Sequence, residues 1–238
     1  MKSSFLWLVF LLLTFVVTLP ISWWGMAKVD FFYASLHDSI GIDTHIERYA
    51  PRNQFNKKEF EKTPKSERVA LFHGVVEAIH NKGEGLDSLA YIRASNKEKV
   101  TLFTEAEVIH LKDVAILIDR LKPIVIGAIF IWLVIVSGLF KRRIQLPSAK
   151  RFSMLSLVLL VSIVLILSFG PAKVFNQLHV WVFPDDHQWF FYYEESLMST
   201  MMKAPHLFGY ISAIWAVISI VLTIVLLRFL HLFNNVKR

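Results

Sequence analysis

His110 stands three residues after Glu107 and three before Asp113. On a helix those spacings bring side chains on adjoining turns within reach of one another. An imidazole beside a carboxylate can move a proton near neutral pH, with Asp113 or Glu107 fixing which ring nitrogen carries it. The plainer reading is a core histidine whose second nitrogen is hydrogen-bonded and does no chemistry. His179 divides the same way, between an interfacial histidine in a wet aromatic belt and the second member of an acid–base pair. His187, Asp185, Asp186 and His206 have the residue types of a metal cluster. Their spacing matches no pattern with a defined mechanism, such as H-E-x-x-H, so solvated loop charge is expected there and no metal or other cofactor. Glu194 and Glu195 are adjacent and cannot face each other as a catalytic pair. The chain has no G-x-S-x-G elbow, no phosphate loop and no cysteine. Catalysis, if present, must work by histidine, carboxylate and confinement.

The element that positions His110 opens with a capping box, Thr104 with Glu107, in which hydroxyl and carboxylate satisfy each other's backbone amides. From there to Leu121 an apolar face runs through Leu111, Val114, Leu117 and Ile118, and His110 lies on it. Pro123 suits the first turn of a new helical segment. A second helix is expected from Pro64 to Asn81, stopped by Gly83 and Gly85. Residues 88–95 and 99–103 read as short extended pieces, and 51–65 as loop. His179 lies in a stretch, 170–206, that holds eight aromatic rings, Trp181, Phe183, Trp189 and Tyr192 among them. A headgroup belt needs only two or three, so this density points to a pocket or re-entrant segment for something amphipathic.

Apolar residues make up 55% of the chain and charged ones 19%, and the two kinds are segregated. Residues 5–26, 123–140, 152–169 and 207–227 are apolar runs without Asp, Glu or Lys, each near the roughly 20 residues that cross hydrocarbon. Lys141, Arg142, Arg143, Lys150 and Arg151 crowd the loop 141–151, and Arg228, Lys237 and Arg238 the tail 228–238. Short basic loops stay in the cytoplasm while long domains translocate regardless of charge. Both termini and the 141–151 loop are therefore expected inside, and 27–122 and 170–206 outside. The expected fold class is a membrane protein, all-α or α+β: a four-transmembrane-helix bundle with a mixed, mainly helical extracytoplasmic cap between spans one and two. The net charge of +7 thus reports topology, and nucleic acid is not an expected partner. The first run reads as an uncleaved span, because its apolar core is longer than a signal peptide's and Trp23 and Trp24 suit an interfacial anchor. Spans without acidic residues argue against an ion-coupled transporter.

The run Glu107-x-x-His110-x-x-Asp113-Val114 resembles the first signature of the bacterial lipoprotein intramolecular transacylase family. The run His179-Val-Trp-Val-Phe183-Pro184-Asp-Asp-His-Gln-Trp189 resembles its second. Four spans with a cap between the first two match as well. The resemblance implies an enzyme of the bacterial cytoplasmic membrane acting on a diacylglyceryl lipoprotein among membrane lipids. It moves the acyl chain from the central glyceryl ester to the amino group of the N-terminal cysteine. It implies His110 and His179 as the catalytic pair. We expect His110 as base and His179 as acid or oxyanion partner, with the two proton roles open to exchange because sequence gives no geometry. Asp113 and Glu107 would orient, and Trp181, Phe183, Trp189 and Tyr192 would line the substrate pocket. The chain departs from the family at Leu178, where Phe is usual. It departs again at Glu194-Glu195 and the methionine run to Pro205, where an Asp and a Pro-aromatic stretch are usual. Those differences bear on substrate identity more than on fold. The competing reading is a non-catalytic polytopic protein that binds a lipid or partner protein through its aromatic outer segment.

Overall fold

The computed structural model describes residues 2–141, 161 and 170–236. The expected span 152–169 and nearly all of the 141–151 loop lie outside the described residues. The described chain is mostly helical: α1 (Lys2–Ala27), α2 (Tyr33–Ser39), α3 (Ile42–Tyr49), α4 (Lys65–His80), α5 (Glu105–Lys141), α6 (Pro171–Val182), α7 (Leu197–Met202) and α8 (His206–Val236). A two-stranded antiparallel ribbon, β1 (Ala90–Ile92) with β2 (Lys99–Thr101), pairs Tyr91 with Val100. The fold divides into two compact units. One comprises Met1–Gly25, Lys122–Pro171 and Ser212–Arg238; the other comprises Met26–Leu121 and Ala172–Ile211.

The first unit draws on three helices that contain segments long and apolar enough to cross a membrane: Trp7–Ala27, Glu105–Leu139 and His206–Leu232. They carry the expected runs 5–26, 123–140 and 207–227. Trp7, Phe10, Leu11, Trp132, Val136, Leu227 and Leu230 form its buried core, while Ile124, Ile126 and Phe130 are exposed. Large apolar side chains facing outward suit lipid, not water. Between α1 and α8 the contact is polar: Thr18 and Thr223 hydroxyls lie 2.9 Å apart, and those of Ser22 and Ser219 lie 2.6 Å apart. The Trp132 indole N–H donates to Thr14 Oγ1 at 3.0 Å. Small hydroxyl-bearing residues let helix backbones approach closely and bond across the interface in hydrocarbon. Pro123 does not open a new segment as expected; it lies inside the unbroken α5. Proline removes one N–H from the ladder, and an apolar helix keeps its other backbone bonds on both sides.

The second unit packs α2, α3, α4 and α7 around Tyr33. Its ring stacks on Phe72 at 4.1 Å, and its hydroxyl donates to the Met201 carbonyl at 2.9 Å. Ile42, Ile46, Phe60, Leu86, Tyr91, Leu102 and Leu197 are fully buried with it. α4 keeps close to its expected limits. It stops where Gly83, at φ +80°, returns its N–H to the Ala78 carbonyl at 2.8 Å, a left-handed turn that favours glycine. Residues 51–65 are loop with two short 3₁₀ turns, Ala50–Arg52 and Phe60–Lys62. The buried Lys57 ammonium donates to the Thr101 and Phe103 carbonyls at 2.6 and 3.2 Å. It thereby fixes the chain that leads into α5.

Replacing Thr18 by Val and Ser22 by Ala together should lower stability in detergent by about 1–2 kcal/mol, the usual worth of such interhelical bonds. Chemical unfolding of the purified protein measures this, and an unchanged midpoint would mean that the hydroxyls contribute no net stability.

Candidate active site

α5 begins as the capping box requires. The Thr104 N–H donates to Glu107 Oε2 at 2.6 Å, and the Glu107 N–H donates to Thr104 Oγ1 at 3.4 Å. Glu107 is 0% exposed. Its other oxygen accepts from the Ser196 hydroxyl at 2.6 Å and the Met198 N–H at 3.0 Å. One carboxylate thus joins the starts of α5 and α7.

One turn further along, His110 is 8% exposed. Its ring centroid lies 6.1 Å from that of His179, at an interplanar angle of 31°. Phe183 sits 4.9 Å from His110 and 5.2 Å from His179. Phe191 closes on His110 at 6.0 Å, and Trp189 on His179 at 5.1 Å. The two histidines and three rings form a single cluster, with His110 and Phe191 buried and His179, Phe183 and Trp189 half-buried. All five belong to the unit of Met26–Leu121 and Ala172–Ile211.

The periodicity of α6 explains which aromatic residues take part. Phe175, His179 and Phe183 are spaced by four and share a face; the Phe175 ring lies 4.0 Å from His179. Trp181, two residues after His179, points elsewhere and is 73% exposed. Tyr192, also expected in the pocket, is 62% exposed and packs edge-on against Phe190. Of the four expected pocket residues, Phe183 and Trp189 reach the histidines, and no contact of Trp181 or Tyr192 with them is observed. Phe175 and Phe191 were not singled out. For Phe175 the signal was its i, i+4 spacing to His179; for Phe191, inside an aromatic run, there was none.

The expected orienting carboxylates are engaged elsewhere. Asp113 Oδ2 accepts from His187 Nδ1 at 2.7 Å, and Glu107 serves Thr104, Ser196 and Met198. Among the described residues, His110 Nδ1 is buried without a hydrogen-bond partner. His179 Nδ1 lies 2.8 Å from the Phe175 carbonyl. A carbonyl only accepts, so that nitrogen carries the proton and Nε2 is left with its lone pair. His110 precedes the apolar run 123–140. Burial, then the neighbouring His179 charge, lower its pKa from 6.5 to about 4 against the opposing pull of Asp113. Burial likewise holds His179 below the ordinary range, partly offset by the Phe175 carbonyl. The geometry thus offers two neutral imidazoles in a largely buried aromatic setting, which can accept, donate and relay a proton.

A family model, that of the lipoprotein intramolecular transacylase Lit, matches residues 3–206. The chain belongs to the Lit family. The match includes all of α5 and all of α6, so both histidines lie within it. A solved structure of the membrane integral lipoprotein intramolecular transacylase Lit from Bacillus cereus, with a histidine-to-arginine mutation, shares this fold with a TM-score of 0.61. It is 14% identical, and the alignment covers 100% of this chain and 96% of that one. A search of curated protein sequences found no match.

Because the folded pKa of His110 is depressed, the unfolded chain takes up the proton first as pH falls. Stability is unaffected by this group above pH 6.5 and is lost between 6.5 and about 4. The loss at the bottom of that window is on the order of 3 kcal/mol. His110→Phe should flatten part of this dependence. Denaturant midpoints of both proteins at pH 7 and pH 4.5 test it, and equal slopes would contradict it.

Proposed function

We propose that the chain transfers an acyl group within one lipoprotein molecule, from the central glyceryl ester to the amino group of the N-terminal cysteine. The observation that carries this reading is the pairing of His110 with His179, the two histidines of the family's signatures, in one aromatic cluster.

The reaction sets clear demands. Attack of the amine on the ester carbonyl closes a ring through nitrogen, the Cα and Cβ of cysteine, sulfur, two glyceryl carbons, the ester oxygen and the carbonyl carbon. Such a closure is entropically unfavourable, so holding both ends together supplies much of the acceleration. As the C–N bond forms, the nitrogen must lose a proton. As the C–O bond breaks, the glyceryl oxygen must gain one. A single base can carry that proton from one to the other.

Of the two assignments of roles that the sequence leaves open, the tautomers favour His179 as base. His179, with Nδ1–H held by the Phe175 carbonyl, presents an Nε2 lone pair and suits the base. It would take the amine proton and hand it to the departing glyceryl oxygen. At His110 a proton on the partnerless Nδ1 would be a buried unsatisfied donor, so the proton belongs on Nε2. That N–H would stabilise the tetrahedral oxyanion. Their lowered pKa values keep both rings neutral at physiological pH, which this division of labour needs. The Phe183, Trp189 and Phe191 rings would hold the lipid-bearing glyceryl group away from water.

In this reading the chain sits in a bacterial cytoplasmic membrane with four spans, 5–26, 123–140, 152–169 and 207–227, and both termini inside. Residues 27–122 form an outer cap, and 170–206 an outer return segment. The basic loop 141–151 and the three apolar helices support it.

Co-expression with a reporter diacylglyceryl lipoprotein, followed by mass spectrometry of its N-terminus, tests the proposal. Wild type should move one acyl chain onto the amine. His110→Ala and His179→Ala should each reduce conversion at least about a hundredfold, the usual worth of a catalytic histidine or an oxyanion donor. A reporter that keeps its free amine would sink the reading. Conversion that survives both changes yet is abolished by Trp189→Ala would favour a binding role instead.

A further inference from the structure

Glu107 and Asp113 flank His110 at equal spacing, yet each bonds one end of the segment that joins α6 to α7. The segment leaves α6 at Phe183, passes His179 with Trp189 and His110 with Phe191, and enters α7 at Leu197. Up to Phe191 its backbone bonds include short local ones: Phe183 N–H to the His179 carbonyl and His187 N–H to that of Pro184. Nearer α7 it is tied more firmly, with the Gln54 N–H donating to the Glu194 carbonyl at 2.8 Å and the Tyr193 ring packed on His45 and Tyr49.

The two attachments differ in kind. At the Ser196 end a fully buried carboxylate accepts from a hydroxyl and a backbone amide, so breaking it strands charge and donors together. At the His187 end a single contact, 2.7 Å long, joins side chains that are 36% and 13% exposed. Water can replace that contact at little cost. Asp113 raises the pKa of His187, mainly through their hydrogen bond, and Asp186 adds to the effect, so the charged imidazole that closes the contact is favoured.

We propose that Asp113 and His187 are positioning residues for the acyl transfer, their ion pair forming the releasable catch of a strap over residues 183–196. Closed, the strap holds Phe183, Trp189 and Phe191 around the two histidines. Released at His187 and still anchored at Glu107, it opens the cluster to a lipid-bearing substrate. This rests on the acyl-transfer reading above, and neither residue is asked to touch the reacting atoms.

Hydrogen exchange of the full-length protein in detergent, run beside the reporter conversion assay, tests the strap. His187→Gln and Asp113→Asn should each speed amide exchange over 185–191 by about tenfold while α7 stays protected. Each should lower kcat/KM about tenfold, chiefly by raising KM, because ring placement and not the histidines is disturbed. The exchanged pair, Asp113→His with His187→Asp, should restore both readouts to within about threefold. His110→Ala should lower conversion at least about a hundredfold through kcat, which separates loss of a reacting ring from loss of the strap's catch. Wild-type exchange in the single variants, a loss confined to kcat, failure of the exchanged pair to restore either readout, or loosening of α7 along with the strap would each overturn the proposal. If wild type itself does not convert the reporter, the acyl-transfer reading is what fails, and the exchange comparison still decides the strap.

Discussion

A carboxylate with no access to water must have its lone pairs occupied, and Glu107 meets that requirement by drawing two helix starts together. The Thr104 amide and hydroxyl come from the first turn of α5, and the Ser196 hydroxyl and Met198 amide from the start of α7. Both helices present the positive ends of their dipoles to it. Lys57, buried and donating to the carbonyls just before Thr104, supplies a cation whose charged form Glu107 favours against the cost of burial. From this point His110 follows one turn along α5, and Phe191 and Trp189 precede α7 along the chain. The position of the histidine cluster is a consequence of where that charge is neutralised.

The cluster itself is defined by its aromatic enclosure. Rings from two helices and a loop surround two imidazoles, and burial keeps both neutral. A neutral pair can exchange one proton between nitrogen and oxygen without leaving net charge in an apolar setting, which would be costly. His187, whose charged form is favoured, is instead placed against Asp113, where a counter-ion and partial exposure make charge tolerable.

Much of this was legible in the sequence where one local rule governs. The capping box foretold the start of α5, because hydroxyl and carboxylate answer each other within four residues. The apolar runs foretold three helices for the same kind of reason: hydrocarbon needs length, and length is visible. Both histidines were legible from the family's signatures. What escaped were pairings decided over distance. Asp113 is three residues from His110 but bonds His187, 74 residues away, and nothing in the local spacing distinguishes the two. Trp181 and Tyr192 read as pocket residues because 170–206 reads as a pocket or re-entrant segment with no helix assigned in it. Once α6 is a helix, its period selects Phe175 and Phe183 and turns Trp181 outward. α2 and α3 went unread because they are short and are stabilised by packing around Tyr33, not by strong local signals.

The partnerless Nδ1 of His110 has an evolutionary corollary. A ring oriented by a hydrogen bond can be re-aimed only by replacing its partner, a step that usually strands a polar atom. His110 is oriented by the faces and edges of Phe183 and Phe191, so its azimuth is a matter of shape. Exchanging Phe for Leu or Met at either wall could tilt the imidazole by small increments without stranding a polar group. Descendants of this chain can therefore drift toward differently shaped esters through a graded series of viable intermediates.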